Sequence, residues 1–220
     1  MSFTAETFEF LKSLKANNTR EWFEDNRAAY EAHWRAPALA FIEQLAEPMG
    51  AHSLKAEARL NGSLRRINRD TRFSKDKTPY NPSLHMIFWQ GSHPNRSPAM
   101  HIVLHPDGVG YGAGQFAMTP EELGQARQKI MSDDGCEALV SALASAEAIG
   151  CRMGEPDLKR VPKGFDAEGQ RAEFLRYKGF VARTFDGDAS PDCIIGDGGV
   201  VWAMAQTEAC MPLIRWLNEG

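Results

Sequence analysis

The spacing of the apolar residues changes near residue 52, and this change limits most strongly what the chain can fold into. Before it, Phe8, Leu11 and Leu14 recur at three-residue intervals, which predicts an amphipathic helix. After it, apolar and polar residues alternate over residues 54–60, which predicts a strand. Helices followed by strands of this kind are typical of an α+β protein.

Local signals divide residues 1–220 into three consecutive parts of a single domain. Residues 1–50 form a helical segment, in which Asn18-Thr-Arg-Glu21 is a predicted capping box. Residues 51–118 hold a basic motif and a central, largely antiparallel sheet over about residues 53–116. Residues 119–220 form a largely helical C-terminal part, with one late strand from Phe180 to Phe185. A chain of 220 residues is long enough to bury a sizeable core.

The sheet is predicted to contain two sets of hairpins. Asn61-Gly62 favours a type I′ turn, whose return strand begins at Ser63. A three-stranded meander follows over residues 85–90, 99–105 and 109–116. Glycines at 110, 112 and 114 are interpreted as bare positions that let a helix approach the sheet closely. They are not a dinucleotide fingerprint, because the next helix begins only at Thr119, outside the motif.

Positive charge is concentrated in one short stretch of an acidic chain. The formal net charge is −4, whereas residues 65–80 contain six Lys and Arg against two Asp, a local charge of 6 − 2 = +4. The remainder therefore sums to −8. This distribution disfavours broad nonspecific binding to nucleic acid, which needs an extended cationic surface. It favours a single local site for a small anionic or phosphorylated ligand.

The side chains of this stretch suit the recognition of phosphate. Arginine offers a planar fork to an oxyanion, lysine a mobile charge, and hydroxyl groups neutral donors. The predicted anion-binding residues are Arg66, Arg69, Arg72, Ser74, Lys75, Lys77 and Tyr80. Asp70 and Asp76 are candidate catalytic residues, which would orient the arginines, accept a proton from an attacking water, or hold Mg²⁺ against the phosphate. Alternatively, ion pairs join this loop to the sheet, with Phe73 and Tyr80 as apolar anchors.

Histidines form a second group of candidate site residues. If Trp89 pairs with His101 in the first hairpin, His85 pairs with His105 on the same face of the sheet. Opposed imidazoles bind divalent metals such as Zn²⁺, so His85 and His105 are the predicted metal ligands, with Asp107 as a candidate third ligand. The alternative is that these histidines are half-exposed strand residues without a ligand.

Other patterns narrow the class of protein. The four cysteines are dispersed without a Cys-x-x-Cys pair, and neither a secretion signal nor a membrane-spanning stretch is present, which favours a cytoplasmic location away from membranes. No nucleophile elbow or zinc deaminase motif occurs, which disfavours acyl transfer and zinc deamination. The sequence leaves the oligomeric state and the cofactor unknown, with a divalent metal as the candidate cofactor.

Residues 66–80, Arg-Ile-Asn-Arg-Asp-Thr-Arg-Phe-Ser-Lys-Asp-Lys-Thr-Pro-Tyr, closely resemble the signature of an uncharacterised bacterial family, domain of unknown function 2461. Further matches occur at Asn17-Asn18, residues 20–23, residues 112–114, Arg127 and residues 161–165, so the resemblance covers most of the chain. After Tyr80, many members have Lys-Thr-His where this chain has Asn81-Pro82-Ser83, so no role of that histidine is carried over. The resemblance implies a shared fold and an important motif rather than a mechanism.

Three functional hypotheses follow from these residues. In the first, the chain has an anion-binding pocket, and is an enzyme or a binding protein for a phosphorylated or nucleotide-like substrate that acts through residues 66–80. In the second, it is a noncatalytic interaction module that grips an acidic partner or a nucleic-acid end. In the third, the basic loop is purely structural. Cations that converge beside the histidines would favour the anion-binding pocket. A protruding loop would favour the interaction module, and full internal pairing of the arginines would favour the structural role.

Overall fold

The computed structural model describes residues 2–184 and 189–218 and has an α+β fold. Its five-stranded sheet has the order β1-β2-β3-β5-β4, and β5 pairs antiparallel with both β3 and β4. The strands are β1 (Leu84–Trp89), β2 (Ala99–His105), β3 (Gly108–Gln115), β4 (Arg152–Met153) and β5 (Phe180–Arg183). The predicted fold class is therefore confirmed. The predicted strand end at Phe185 lies outside the described residues.

The N-terminal segment is helical, as its apolar spacing predicts. It contains α1 (Ala5–Ala16), α2 (Arg20–Asp25), α3 (Arg27–Ala29), a π-helical turn (Tyr30–Arg35) and α4 (Ala36–Ala51). Thr19, not Asn18, caps α2, because its hydroxyl accepts a hydrogen bond from the Trp22 N–H at 3.2 Å. The predicted cap residue was one position too early, which leaves the Asn18 side chain available for a distant contact.

Residues 53–83 form no regular strand, which corrects the predicted start of the sheet and the predicted hairpin. Asn61 has a positive φ of 62°, but the surrounding backbone closes on itself: Ser63 N–H donates to Glu57 O, and Leu64 N–H donates to Arg59 O. The Ser63 hydroxyl also accepts from the Glu57 N–H at 2.8 Å. A compact turn therefore replaces the ladder that alternation predicted, and only Leu64 forms an antiparallel bridge to β1, at Met86.

The glycines of β3 allow another strand, not a helix, to approach. Gly112 lies opposite Arg183 and Gly114 opposite Val181 in the β3–β5 register. A Cβ added at Gly114 would lie 2.0 Å from the carbonyl oxygen of Phe180. Backbone contact at this distance excludes any side chain, so the predicted close approach is present but its partner is β5.

The C-terminal part is largely helical, as predicted. Its helices are α5 (Pro120–Met131), α6 (Asp133–Glu147), α7 (Gly169–Phe174) and α8 (Gly198–Asn218), and a short 3-10 helix (Pro191–Cys193) that the sequence did not predict precedes α8. Thr119 and Glu122 form the capping box predicted at the start of α5, each side chain accepting a hydrogen bond from the backbone N–H of the other.

The described residues form two compact units. The first comprises those within residues 1–88, 101–111 and 186–205, and has a core that includes Phe41, Ile102 and Leu104. The second comprises those within residues 89–100, 112–185 and 206–220, and its core includes Phe180 and Leu213. The prediction of a single domain stays a prediction. In the part of the chain that the structure describes, none of the helices combines the length and apolar character needed to cross a membrane.

Candidate functional site

The basic motif folds as a closed loop with a paired base. Arg69 N–H donates to Pro79 O at 2.9 Å and Asn81 N–H donates to Ile67 O at 2.8 Å, around an antiparallel bridge between Asn68 and Tyr80. Residues 70–78 lie between these paired arms and are called the basic loop below. Since its two ends are held together, the loop has a fixed base.

Arg69 braces the base of the basic loop. Its guanidinium donates to the Asp76 carboxylate and to the Thr78 hydroxyl. Asp76 also accepts hydrogen bonds from the Thr78 N–H at 2.9 Å and from the Thr78 hydroxyl at 3.0 Å. These hydrogen bonds lower the pKa of Asp76 to about 2, and the one from the Thr78 N–H has the largest effect, ahead of the one from Arg69. These contacts occupy both the arginine and the carboxylate with each other.

The second carboxylate of the motif pairs with the second arginine. Asp70 accepts hydrogen bonds from Arg72 Nε at 3.0 Å and Nη2 at 2.7 Å, and this pairing lowers the pKa of Asp70. A general base works best with a pKa near the operating pH. Of the three roles considered for Asp70 and Asp76, orienting the arginines therefore fits these contacts best. Their predicted catalytic role stays a prediction.

Phe73 lies at the tip of the basic loop in an unusual environment for an aromatic ring. Its exposed fraction is 95%, the largest among the exposed large apolar side chains of the described residues. The Arg72 guanidinium carbon lies 5.8 Å from the centre of the ring. Phe73 is therefore not an anchor of the loop, and its ring is presented to solvent beside a cation.

The remaining cations of the motif differ in how they are held. Lys77 Nζ donates to the Thr71 carbonyl at 2.8 Å. Within the described ranges, the side chains of Lys75 and Ser74 make no hydrogen bond or ion pair with protein atoms. Arg66 is exposed, and its charge contributes to the lowered pKa of Asp70. The tip of the basic loop thus keeps positive charge that its two carboxylates do not offset.

Tyr80 is the anchor of the motif. It is 5% exposed, and its ring stacks on that of Phe23 with the ring centres 4.2 Å apart. Asn18 Nδ2 donates to Tyr80 O at 2.8 Å, while the Tyr80 N–H donates to Asn18 Oδ1 at 3.1 Å. This burial favours the anchor role over the predicted anion contact. Sequence reasoning missed Asn18, because it assigned this side chain to the helix cap.

The histidines of β1 and β2 lie on the half-exposed face of the sheet. Alternate residues of β2 are half-buried, at His101, Val103 and His105, as is His85 in the otherwise buried β1. His85 Nε2 lies 2.8 Å from His101 Nδ1, so the imidazole that contacts His85 is that of His101. The predicted register placed His105 opposite His85 instead.

Arg65 belongs with this imidazole pair and not with the basic loop. Its N–H donates to His85 O at 2.9 Å, and its half-buried guanidinium has a pKa lowered by burial and by the charge of Arg66. The pKa of His85 is lowered to about 4, mainly by burial and to a smaller extent by the nearby charges of Arg65 and His105. The pKa of His101 is lowered to about 3, mainly by burial and to a smaller extent by the nearby charges of His85 and Arg65. Both imidazoles are therefore neutral at pH 7, and we call Arg65, His85 and His101 the imidazole cluster.

The predicted metal ligands are in different surroundings. His105 lines an open cavity of about 510 Å³ together with Asp107 and Lys15, whereas His85 contacts His101. Among the described residues, no group of three or more His, Cys, Asp or Glu side chains is arranged to hold a metal ion. Binding of a divalent metal by His85 and His105 stays a prediction, and the adjacent charge of Arg65 opposes it.

Comparison with known proteins places the chain in a family. The family described as "Conserved hypothetical protein (DUF2461)" matches residues 6–216, which is nearly the whole sequence. The chain belongs to this family, as its motif over residues 66–80 predicted. A search of curated proteins and a search of solved structures each found no match.

Proposed function

We propose that the basic loop recognises phosphate groups, and that its ligand is the end of a single-stranded nucleic acid. The observation that carries the proposal is the exposed ring of Phe73, which lies between Arg72 and Lys75 in the sequence of a loop with a braced base. Proteins that bind single strands combine cations that follow the phosphates with aromatic rings on which bases stack. Phe73 would stack on a terminal base, while Arg72, Lys75 and Arg66 contact phosphates.

The internal contacts of the basic loop support noncatalytic binding of the ligand rather than catalytic turnover of a phosphorylated substrate. Asp76, with a pKa of about 2, is a weak base, and Asp70 is paired with Arg72. An exposed tip also leaves water in contact with the ligand, whereas catalytic sites generally exclude it. An enclosed pocket that acts on a small phosphorylated molecule is thus less well supported here.

A purely structural role is supported for part of the motif by the bonds among Arg69, Asp76 and Thr78. We therefore divide the motif by function. Arg69, Asp76 and Tyr80 brace the loop, and the residues at the tip contact the ligand. A cytoplasmic location is part of the same proposal, because the four cysteines are free thiols, which is typical of a reducing compartment.

Binding of a fluorescent, 5′-phosphorylated DNA strand of about eight nucleotides tests the proposal by fluorescence anisotropy, since this length suits one binding module. Phe73→Ala should weaken binding by about 1 to 3 kcal/mol through the loss of base stacking. Lys75→Ala should reduce the slope of log K against log salt by about 0.7, the value for one phosphate contact in a single strand.

Two exposed residues outside the loop provide matched controls. Phe116→Ala removes another exposed ring, 59% accessible, and Lys163→Ala removes another exposed cation. Neither should change the affinity or the salt dependence. Equal losses in the control and loop variants would reject the proposal. The proposal would also be rejected if the protein bound an acidic peptide more tightly than DNA and Phe73→Ala left the binding of the peptide unchanged. The partner would then be an acidic protein.

A further inference from the structure

Another open cavity, of about 590 Å³, lies within the second compact unit and is not used by the proposed function. One side of α5 forms part of its wall, because Glu122, Gln125, Ala126 and Lys129 recur at the three- and four-residue intervals that place side chains on one helix face. The end of β3 and the last turn of α8 contribute the rest. The volume lies within the range of roughly 300 to 1,000 Å³ that is typical of small-molecule sites.

Gln115 is a buried polar side chain that lines this cavity. It is 3% exposed, and its Nε2 donates to Arg96 O at 2.7 Å. This bond turns the side-chain carbonyl oxygen away from Arg96, and that oxygen accepts no hydrogen bond from the described residues. It is not among the fully enclosed polar atoms without a partner in that part of the chain, so it retains open space on one side. The oxygen is therefore an acceptor that the content of the cavity satisfies.

Two further side chains of the wall offer only an oxygen to a ligand. Glu122 uses one carboxylate oxygen to accept from the Thr119 N–H at 2.6 Å, and its other oxygen accepts no hydrogen bond from the described residues. Asn218 Nδ2 donates to both Gln90 Oε1 and Ile214 O, which leaves Oδ1 to face a ligand. The wall therefore has a surplus of acceptors, and a ligand rich in N–H or O–H groups satisfies them.

The charges of the wall favour a neutral ligand. Its ionised side chains are Glu122 and Lys129, so its formal charge is +1 − 1 = 0. Lys129 Nζ donates to Trp216 O at 2.6 Å and lies 5.0 Å from the centre of the Trp216 ring, which holds the positive charge beside the cavity. This ammonium repels a cation, and the Glu122 carboxylate repels an anion. Hydroxyl groups therefore suit the surplus acceptors better than an ammonium group does.

Apolar side chains complete the wall, at Pro98, Met118 and Leu217. A ligand that fits them presents C–H surface in addition to its hydroxyl groups. A ring sugar has both, because its hydroxyl groups are arranged around a ring that carries C–H groups on its faces. The amides of Gln125 and Gln128, which make no hydrogen bond with the described residues, supply donors for the sugar oxygens.

We propose that this cavity binds a neutral ring sugar. In this arrangement Gln115, Glu122 and Asn218 accept hydrogen bonds from its hydroxyl groups. Gln125 donates to a sugar oxygen, and Met118 contacts the C–H groups of the ring. The proposal does not depend on the function of the basic loop, which belongs to the first compact unit.

D-Glucose and D-galactose are the probes, and cyclohexanol and methylammonium are the comparison compounds. Cyclohexanol has a six-membered ring with a single hydroxyl group, whereas methylammonium has donors and a charge but little C–H surface. In protein labelled with 13C at the methionine methyl groups, Met118 reports on the cavity, and Met153 in β4 lies outside its wall. We expect at least one of the two sugars to shift the Met118 resonance with a millimolar dissociation constant and to leave that of Met153 unchanged. Both comparison compounds should bind at least about tenfold more weakly.

Two glutamine variants locate the binding site. Gln125→Ala removes an exposed side chain of the wall, and Gln170→Ala removes an exposed glutamine of α7 that does not line the cavity. Alanine favours a helix at both positions, so both variants should fold. Gln125→Ala should weaken sugar binding about three- to tenfold, the loss of one neutral hydrogen bond, and Gln170→Ala should leave it unchanged.

The proposal is overturned if neither sugar moves the Met118 resonance at about 100 mM, far above a millimolar dissociation constant. Cyclohexanol or methylammonium that binds as tightly as the sugars would overturn it as well, because the cavity would then be an apolar or a cation site. Equal losses of sugar binding in the two glutamine variants would have the same consequence.

Discussion

Tyr80 and Phe73 lie in the same fifteen-residue signature and have opposite environments. The ring of Tyr80 is stacked on Phe23 and its backbone is held by Asn18 on both sides of the residue. The ring of Phe73 lies almost wholly in solvent. The family signature therefore contains residues of two kinds, one that keeps the loop in place and one that is exposed to solvent.

Unfolding in urea should distinguish these two aromatic residues. Tyr80→Ala removes a buried ring and leaves a cavity beside Phe23, which should lower the free energy of unfolding by about 3 to 5 kcal/mol. Phe73→Ala removes a ring with few protein contacts and should change it by less than about 0.5 kcal/mol. A large loss in Phe73→Ala would contradict the assignment of that ring to the solvent-exposed tip.

The strand β5 shows how far the sequence predicts elements and where prediction ends. Alternation located β1, β2 and β3 within one or two residues, and the residues around 180 were recognised as a strand. The pairing of β5 with β3 brings together residues 65 to 71 positions apart, and local periodicity holds no information on such pairing. For the same reason the glycines of β3 predicted a close approach but not its partner.

The site was predictable in composition and less so in geometry. The charged motif and the histidine face could be identified because residue type and period two determine them. The pairing of Arg69 with Asp76, and the burial of Arg65 beside His85, depend on how the chain turns over residues 53–83. Hydrogen bonds between Ser63 and Glu57 outweighed the strand pattern there, and no periodicity indicates such local bonds.

Two glycine substitutions test the packing of β5 on β3. Gly114 has a φ of 144°, and a Cβ there would meet the Phe180 carbonyl, so Gly114→Ala should destabilise the protein by at least about 2 kcal/mol. Gly124 lies inside α5 with no atom within 4 Å of an added Cβ. Gly124→Ala should therefore stabilise by about 0.5 to 1 kcal/mol through helix propensity. Urea midpoints measure both, and similar shifts in the two variants would refute the close approach of β5.

At the scale of the whole molecule, positive charge and neutral imidazoles lie close together in an acidic protein. The net charge of −4 arises from a basic stretch of +4 and a remainder of −8. The first compact unit contains both the basic loop and the imidazole cluster. The charge of the basic stretch is therefore opposite in sign to the net charge, and the proposed function uses this contrast for local capture of an anion without general attraction to polyanions.

The imidazole cluster also predicts how the stability of the protein depends on pH. The pKa values of His85 and His101 are about 4 and about 3 in the folded protein, below the ordinary value of 6.5, because of burial, Arg65 and, for His85, the nearby His105. The unfolded chain therefore binds more protons than the folded one between pH 6.5 and about 4. The stabilisation from keeping both rings neutral is fully present above pH 6.5 and is lost as the pH falls. Each histidine contributes a slope of at most about 1.4 kcal/mol per pH unit.

Urea unfolding at several pH values measures this slope, from pH 7.5, about one unit above the ordinary histidine pKa of 6.5, down to pH 4.5, about two units below it. His101→Gln removes one of the two groups, and its free energy of unfolding should fall less steeply with decreasing pH than that of the parent. His93→Gln, in the exposed loop between β1 and β2, is the matched control and should keep the parent slope. Asp76 adds a further loss of stability at lower pH. Its folded pKa of about 2 lies below the ordinary aspartate value of 3.8, so its stabilisation is present above pH 3.8 and is lost as the pH falls towards 2. A parent protein whose stability is flat from pH 7 to 5 would show that the two rings become protonated as easily in the folded state as in the unfolded chain.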